Sequence, residues 1–72
     1  MHALIESAVE RRKITIRELF RYAYIRRFQK DIPSGSLDDD VRKYESDHSA
    51  PPYVVAYMVE LYSDNKEQRK GV

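Results

Sequence analysis

Cationic and aromatic side chains are interleaved between residues 17 and 30. This segment, RELFRYAYIRRFQK, holds five Lys or Arg residues and four aromatic residues. Arginine and lysine neutralise phosphates and aromatic rings stack on bases, so the combination is typical of nucleic-acid-binding surfaces. Arg, Tyr and Phe are also enriched as anchors in protein–protein interfaces. A core helix whose long cationic stems cover apolar surface would have a similar composition.

A helix over residues 16–29 would divide these side chains between two faces, since each residue advances the helix by about 100°. The apolar stripe expected to face the core consists of Ile16, Leu19, Phe20 and Ala23. The row expected to meet a partner consists of Arg17, Arg21, Tyr24 and Phe28. The core and recognition interpretations therefore apply to different faces of one helix.

Charge is distributed unevenly along the chain, although the formal net charge is only +1. Residues 11–30 contain eight bases and one acid, a balance of +7. Residues 31–64 contain two bases and eight acids, a balance of −6. This asymmetry indicates either an anionic partner for the basic segment or association between the oppositely charged halves.

Two functional hypotheses use the same side chains. The residues predicted to contact a partner are Arg12, Lys13, Arg17, Arg21, Tyr24, Arg26, Arg27, Phe28 and Lys30. The first hypothesis is a small DNA-binding or transcription-regulatory protein, of the kind encoded by phages and plasmids, that contacts duplex DNA through residues 11–30. The alternative is a protein–protein interaction module, an adaptor or inhibitor, that uses helix 16–29 to bind an acidic protein surface or to form a homodimer. The basic segment slightly favours DNA.

Residues that could perform catalysis or bind a metal are few. His2 and His48 are the only imidazoles, and no Ser or Thr is convincingly paired with a His and an Asp. The absence of cysteine excludes disulfides and thiolate zinc sites. The consecutive acids at 38–40 lack the alternate spacing of calcium loops and are interpreted as acids at a helix N-terminus. We therefore expect no enzyme activity, cofactor or metal.

The hydrophobic pattern predicts an all-α fold, a compact single domain of short helices. The predicted helices are residues 2–12, 16–29, 37–45 and 52–63. A Thr-x-x-Glu capping box at Thr15 and Glu18 is expected to begin the second helix. Residues 33–36 are expected to form a loop, with Ser36 as the N-cap of the third helix.

The domain is expected to span residues 1–64, followed by a polar tail at 65–72 that frays. No apolar run approaches the roughly 18–20 residues of a membrane span, and residues 1–12 do not resemble a signal peptide. We therefore expect a cytoplasmic protein with no membrane partner.

Residues 36–62 resemble the second half of small Cro/repressor-type helix-turn-helix proteins. The recognition helix of that family ends in a branched apolar residue, two polar residues, an aromatic and Glu, here VRKYE at 41–45. A polar loop with proline and an apolar closing helix follow, as in this chain. The resemblance implies that Tyr44 packs into the core. The acids at 38–40 occupy the position where the family contacts DNA, so affinity would have to come from the arginines.

Overall fold

Residues 1–71 form four helices joined by short connections in the computed structural model, which describes the side chains of residues 1–63. The helices are α1 (His2–Arg12), α2 (Ile16–Phe28), α3 (Ser34–Asp47) and α4 (Pro52–Gly71). Within residues 1–71 there is no strand, so the predicted all-α class is confirmed. Helix α2 packs against each of the other three helices and is the centre of the fold.

The connection between α1 and α2 is formed by a left-handed residue and a capping box. Lys13 has φ 57° and ends α1. The Thr15 side chain accepts a hydrogen bond from the Glu18 amide at 3.0 Å, and Glu18 Oε1 accepts one from the Thr15 amide at 2.9 Å. These bonds satisfy two amides that a helix N-terminus leaves without intrahelical partners. The predicted capping box is confirmed.

Helix α3 is longer than the predicted 37–45, and the predicted cap was wrong. Pro33 is its N-cap, there is no side-chain cap, and the Leu37 amide donates to the Pro33 carbonyl at 3.0 Å. Proline has a fixed φ that suits a helix entry, so residues 34–36 form the first turn of α3 instead of a loop. The helix ends at Asp47, because His48 adopts φ 59°. The acids at 38–40 therefore lie beyond the first turn.

The core contains side chains from all four helices and from the α2–α3 connection. Its buried members are Ile5, Ala8, Leu19, Phe20, Ala23, Ile32, Leu37, Tyr44, Val54 and Met58. Three of the four residues in the predicted stripe of α2 are fully buried, and Ile16 is half-buried against them. Burying Phe20 alone contributes about 1.5–3 kcal/mol relative to an exposed ring.

Helix α4 continues beyond the predicted end at residue 63 and reaches Gly71. The fraying predicted for residues 65–72 concerns a part of the chain outside the residues whose side chains the structure describes. Among the described residues, no helix is both long enough and apolar enough to cross a membrane.

Candidate interaction surface

The two oppositely charged segments are connected by ion pairs within the chain. Three arginines of α2 are paired with carboxylates of the acidic segment: Arg17 with Asp38, Arg21 with Asp31, and Arg26 with Glu60. The side chains of these pairs are 44% to 63% exposed, so water screens each pair and its contribution to stability is small. The pairs nevertheless hold the α2 arginines beside α3, the α2–α3 connection and α4. Part of the positive charge of residues 11–30 is therefore neutralised by carboxylates of the same chain.

Two of these pairs have well-defined geometry. Arg21 Nε donates to Asp31 Oδ1 at 3.0 Å, and this hydrogen bond raises the pKa of the Arg21 guanidinium, which stays cationic. Arg26 donates to Glu60 Oε1 from Nε at 2.9 Å and from Nη2 at 2.5 Å. Two donors on one oxygen fix the direction of the Arg26 side chain across the space between α2 and α4.

The acids at 38–40 have partners in the folded chain instead of marking a helix N-terminus. Asp38 is paired with α2 as described above, and Asp39 is 3.7 Å from Arg42 on its own helix. Asp40 accepts a hydrogen bond from the Tyr53 hydroxyl at 2.5 Å, which joins α3 to α4. Burial, followed by this bond, raises the pKa of Tyr53. Asp38 and Asp40 therefore connect α3 to α2 and α4, whereas Asp39 is paired within α3.

The two aromatic residues of the predicted partner row pack on a ring from α4. Tyr24 lies 4.6 Å from Phe28 and 5.2 Å from Tyr53, measured between ring centroids. Tyr24 is half-buried by these contacts, whereas Phe28 remains 48% exposed. With Arg17 and Arg21 ion-paired, the predicted row is engaged mainly within the chain. Phe28 is its most accessible apolar member.

Four of the predicted cations are exposed and have no ion pair among the described residues: Arg12, Lys13, Arg27 and Lys30. The first two lie at the end of α1, and the other two lie at the end of α2. These two groups of cations lie at opposite ends of α2, which has 13 residues and is about 20 Å long. These four cations therefore form two separate groups.

A groove between α2 and α4 was not predicted. Its central depression has a volume of about 410 Å³ and is lined by Tyr22, Ile25, Arg26, Tyr57, Glu60 and Leu61. The Tyr22 and Ile25 side chains are 44% and 36% exposed. They lie at i and i+3 on a third face of α2, beside Arg26. That spacing was the sequence signal for this surface.

Two smaller depressions adjoin the central one, because each shares different lining residues with it, and we treat them as the ends of the groove. One, of about 230 Å³, shares the Arg26–Glu60 pair and adds Arg27 and Tyr53. The other, of about 310 Å³, shares Leu61 and lies between α1 and α4. Its further lining includes Ala8, Arg11, Arg12, Met58 and Tyr62. We call the three depressions together the α2/α4 groove. Arg11, Tyr22, Tyr57 and Leu61 are lining residues that the predicted site lacked.

A polar cluster joins α1 to the end of α3. The His2 ring lies 4.0 Å from the His48 ring and 5.6 Å from the Tyr44 ring. The Tyr44 hydroxyl donates to Glu6 Oε2 at 3.1 Å, and burial followed by this bond raises the pKa of Tyr44 to about 12. Within the described residues, no group of three His, Cys, Asp or Glu side chains could hold a metal ion.

No protein family, curated protein or solved structure matches the chain.

Proposed function

We propose that this protein is a protein–protein interaction module whose α2/α4 groove receives a partner. The observation that carries the proposal is the juxtaposition of exposed Tyr22 and Ile25 with Tyr57 and Leu61 around a depression of about 410 Å³. Tyrosine and arginine dominate binding energy at interfaces because they combine large apolar area with hydrogen-bonding groups. A concave surface also removes more of the partner's area from water than a flat one.

The ion pairs of α2 favour this proposal over DNA binding. Arg17 and Arg21, which the DNA hypothesis placed on phosphates, are held by Asp38 and Asp31. A phosphate approaching either guanidinium would meet the repulsion of the adjacent carboxylate. Most of the aromatic surface of Tyr24 faces Tyr53 and Phe28 instead of solvent, which leaves little of it for base stacking.

Site-specific photo-crosslinking in the native cell tests the proposal. A benzoylphenylalanine placed at Ile25 lies in the groove, and the same group at exposed Glu45 of α3 is the matched control. We expect a discrete protein adduct from position 25 and none from position 45. An adduct of twice the chain mass would support the homodimer form of the proposal. Absence of an adduct at position 25, or a nuclease-sensitive adduct there, would overturn it.

Duplex DNA is the second candidate partner, favoured by the four exposed cations without ion pairs among the described residues. If Arg12, Lys13, Arg27 and Lys30 each neutralise one phosphate, the logarithm of the binding constant falls with log salt at a slope of about −3.6. A salt titration with random duplex DNA measures this slope. Charge reversal at Arg27 and Lys30 should roughly halve it. No detectable binding at low salt would contradict DNA binding.

A further inference from the structure

We infer that the α2/α4 groove accepts an amphipathic helix whose apolar row is flanked by carboxylates at both ends. This inference rests on the proposed function and specifies the chemistry of the partner. It follows from three properties of the groove: its length, its apolar anchors and the uneven charge of its lining.

The length of the groove suits a short helix. The residues of α2 and of its C-cap that line the groove run from Tyr22 to Gln29, about two turns or roughly 11 Å. A partner helix lying along this wall would contact it over about two turns, the length of a row at i, i+4 and i+7. Helices bind grooves of this kind through apolar residues at i, i+4 and i+7, which lie on one face.

The centre of the groove offers apolar contact for such a row. Ile25 on α2 and Leu61 on α4 supply aliphatic surface, and the rings of Tyr22 and Tyr57 lie beside them. The tyrosine hydroxyls leave a polar edge on each ring, which suits the boundary between an apolar row and its solvated flanks. The central depression can therefore take leucine-like side chains of a partner.

The charge of the lining is positive at both ends. Arg11 and Arg12 line one end of the groove, and Arg27 lines the other. None of these three has an ion pair among the described residues, and within residues 1–63 Glu60 is the one acidic residue lining the three depressions. Carboxylates near both ends of a bound helix would meet these guanidiniums, which accept carboxylates in planar, bidentate geometry.

A protein helix suits this lining better than a single-stranded nucleic acid. Arg26 and Glu60 form an ion pair in the central depression, so a phosphate backbone passing along the groove would meet no net positive charge there. The rings of Tyr22 and Tyr57 could stack on bases, so the charge of the centre and not its rings favours a helix. Carboxylates in the first and last turns of a helix would lie beside the arginines that line the ends of the groove, and the apolar row of the helix would cover the Arg26–Glu60 pair.

Fluorescence anisotropy with designed peptides tests the inference. The probe is a labelled amphipathic peptide of about 15 residues, long enough to form a helix on binding, with leucines at i, i+4 and i+7 and glutamates in its first and last turns. The comparison peptide carries lysine in place of every glutamate, and labelled oligothymidine represents single-stranded nucleic acid. The protein variants are Arg12→Glu with Arg27→Glu, and the control Lys43→Glu. Lys43 is exposed on α3, away from the groove.

We expect the acidic peptide to bind roughly tenfold more tightly than the basic peptide, as several exposed ion pairs would give together. The Arg12→Glu, Arg27→Glu double variant should reverse this preference, and Lys43→Glu should leave it in place. Amide resonances of Tyr22, Ile25, Tyr57 and Leu61 should shift when the acidic peptide is added. Chemical denaturation verifies that each variant is folded.

Three results would overturn the inference: equal binding of both peptides, an unchanged preference in the double variant, or tighter binding of oligothymidine. These failures are distinguishable from failure of the proposed function. A protein adduct at Ile25 without preference for the acidic peptide would mean that the groove binds a partner of other chemistry. If there is neither an adduct at Ile25 nor a preference for the acidic peptide, the groove is not an interaction site.

Discussion

Replacing Tyr44 with phenylalanine removes a single hydroxyl that joins α1 to α3. The Tyr44 side chain is 2% exposed, and its ring lies 5.5 Å from the Phe20 ring, so the aromatic packing stays in place in Tyr44→Phe. The hydroxyl donates to Glu6 Oε2 at 3.1 Å. The substitution therefore tests this hydrogen bond separately from the burial of the ring.

The expected loss follows from the surroundings of both partners. A hydrogen bond to a charged acceptor contributes about 1.5–3 kcal/mol. The Glu6 side chain is 52% exposed and would regain water, which places the loss at or just below the lower limit, at about 1–1.5 kcal/mol. For a domain of this size, the melting temperature should fall by about 5–10 °C. Tyr44→Ala, which also leaves a cavity, should cost about 3–5 kcal/mol.

Thermal unfolding followed by circular dichroism measures the effect. Tyr57→Phe is the matched control, because its hydroxyl has no hydrogen bond among the described residues. A double-mutant cycle of Tyr44→Phe with Glu6→Ala should give a coupling of about 1 kcal/mol. Equal melting temperatures for Tyr44→Phe and Tyr57→Phe, together with a coupling near zero, would refute the hydrogen bond between α1 and α3.

Three further predictions concern stability, measured from urea unfolding midpoints. The free energy of unfolding should fall between pH 10 and about 12. In this range Tyr44 keeps its proton in the folded protein, where its pKa is about 12, but loses it in the unfolded chain, where its pKa is 10.0. This decline should be smaller in Tyr44→Phe, and an equal decline would contradict the assignment. Gly35→Ala should stabilise the protein by about 0.5 kcal/mol, because a Cβ there has no atom within 4 Å and φ is not positive. An unchanged or lower midpoint for Gly35→Ala would contradict this expectation. Lys13→Gly should raise the free energy of unfolding by about 0.5–1 kcal/mol, because glycine adopts the left-handed conformation of this position without steric strain. Lys13→Ala should not raise it.

Local signals accounted for the parts of the fold that the sequence predicted. The Thr15–Glu18 capping box involves residues three apart, and the core stripe of α2 follows from helical periodicity. The start of α3 was misplaced because Ser36 has the side chain of an N-cap, whereas Pro33 provides the helix entry with its backbone alone. Side-chain preferences could not distinguish these two possible starts of α3.

The candidate site was less predictable because it depends on distant residues. The cationic row of α2 was visible in the sequence, but its ion pairs are not. Arg26 and Glu60, for example, are 34 residues apart. The groove likewise needs Ile25 and Leu61 from two helices that meet only after folding. Composition alone could not show which arginines would be held by carboxylates and which would have no ion pair among the described residues.

The central position of α2 has a kinetic consequence. Its contacts with α1 and α3 join neighbouring segments of the chain, whereas its contacts with α4 close a much longer loop. Contacts between neighbouring segments form with a small loss of chain entropy, because the loops they close are short. Docking of α4 is therefore the step with the largest loss of chain entropy. Both walls of the groove exist together only after that docking. A ligand spanning both walls would therefore slow the local opening of α4, and amide exchange along residues 52–63 would report its binding.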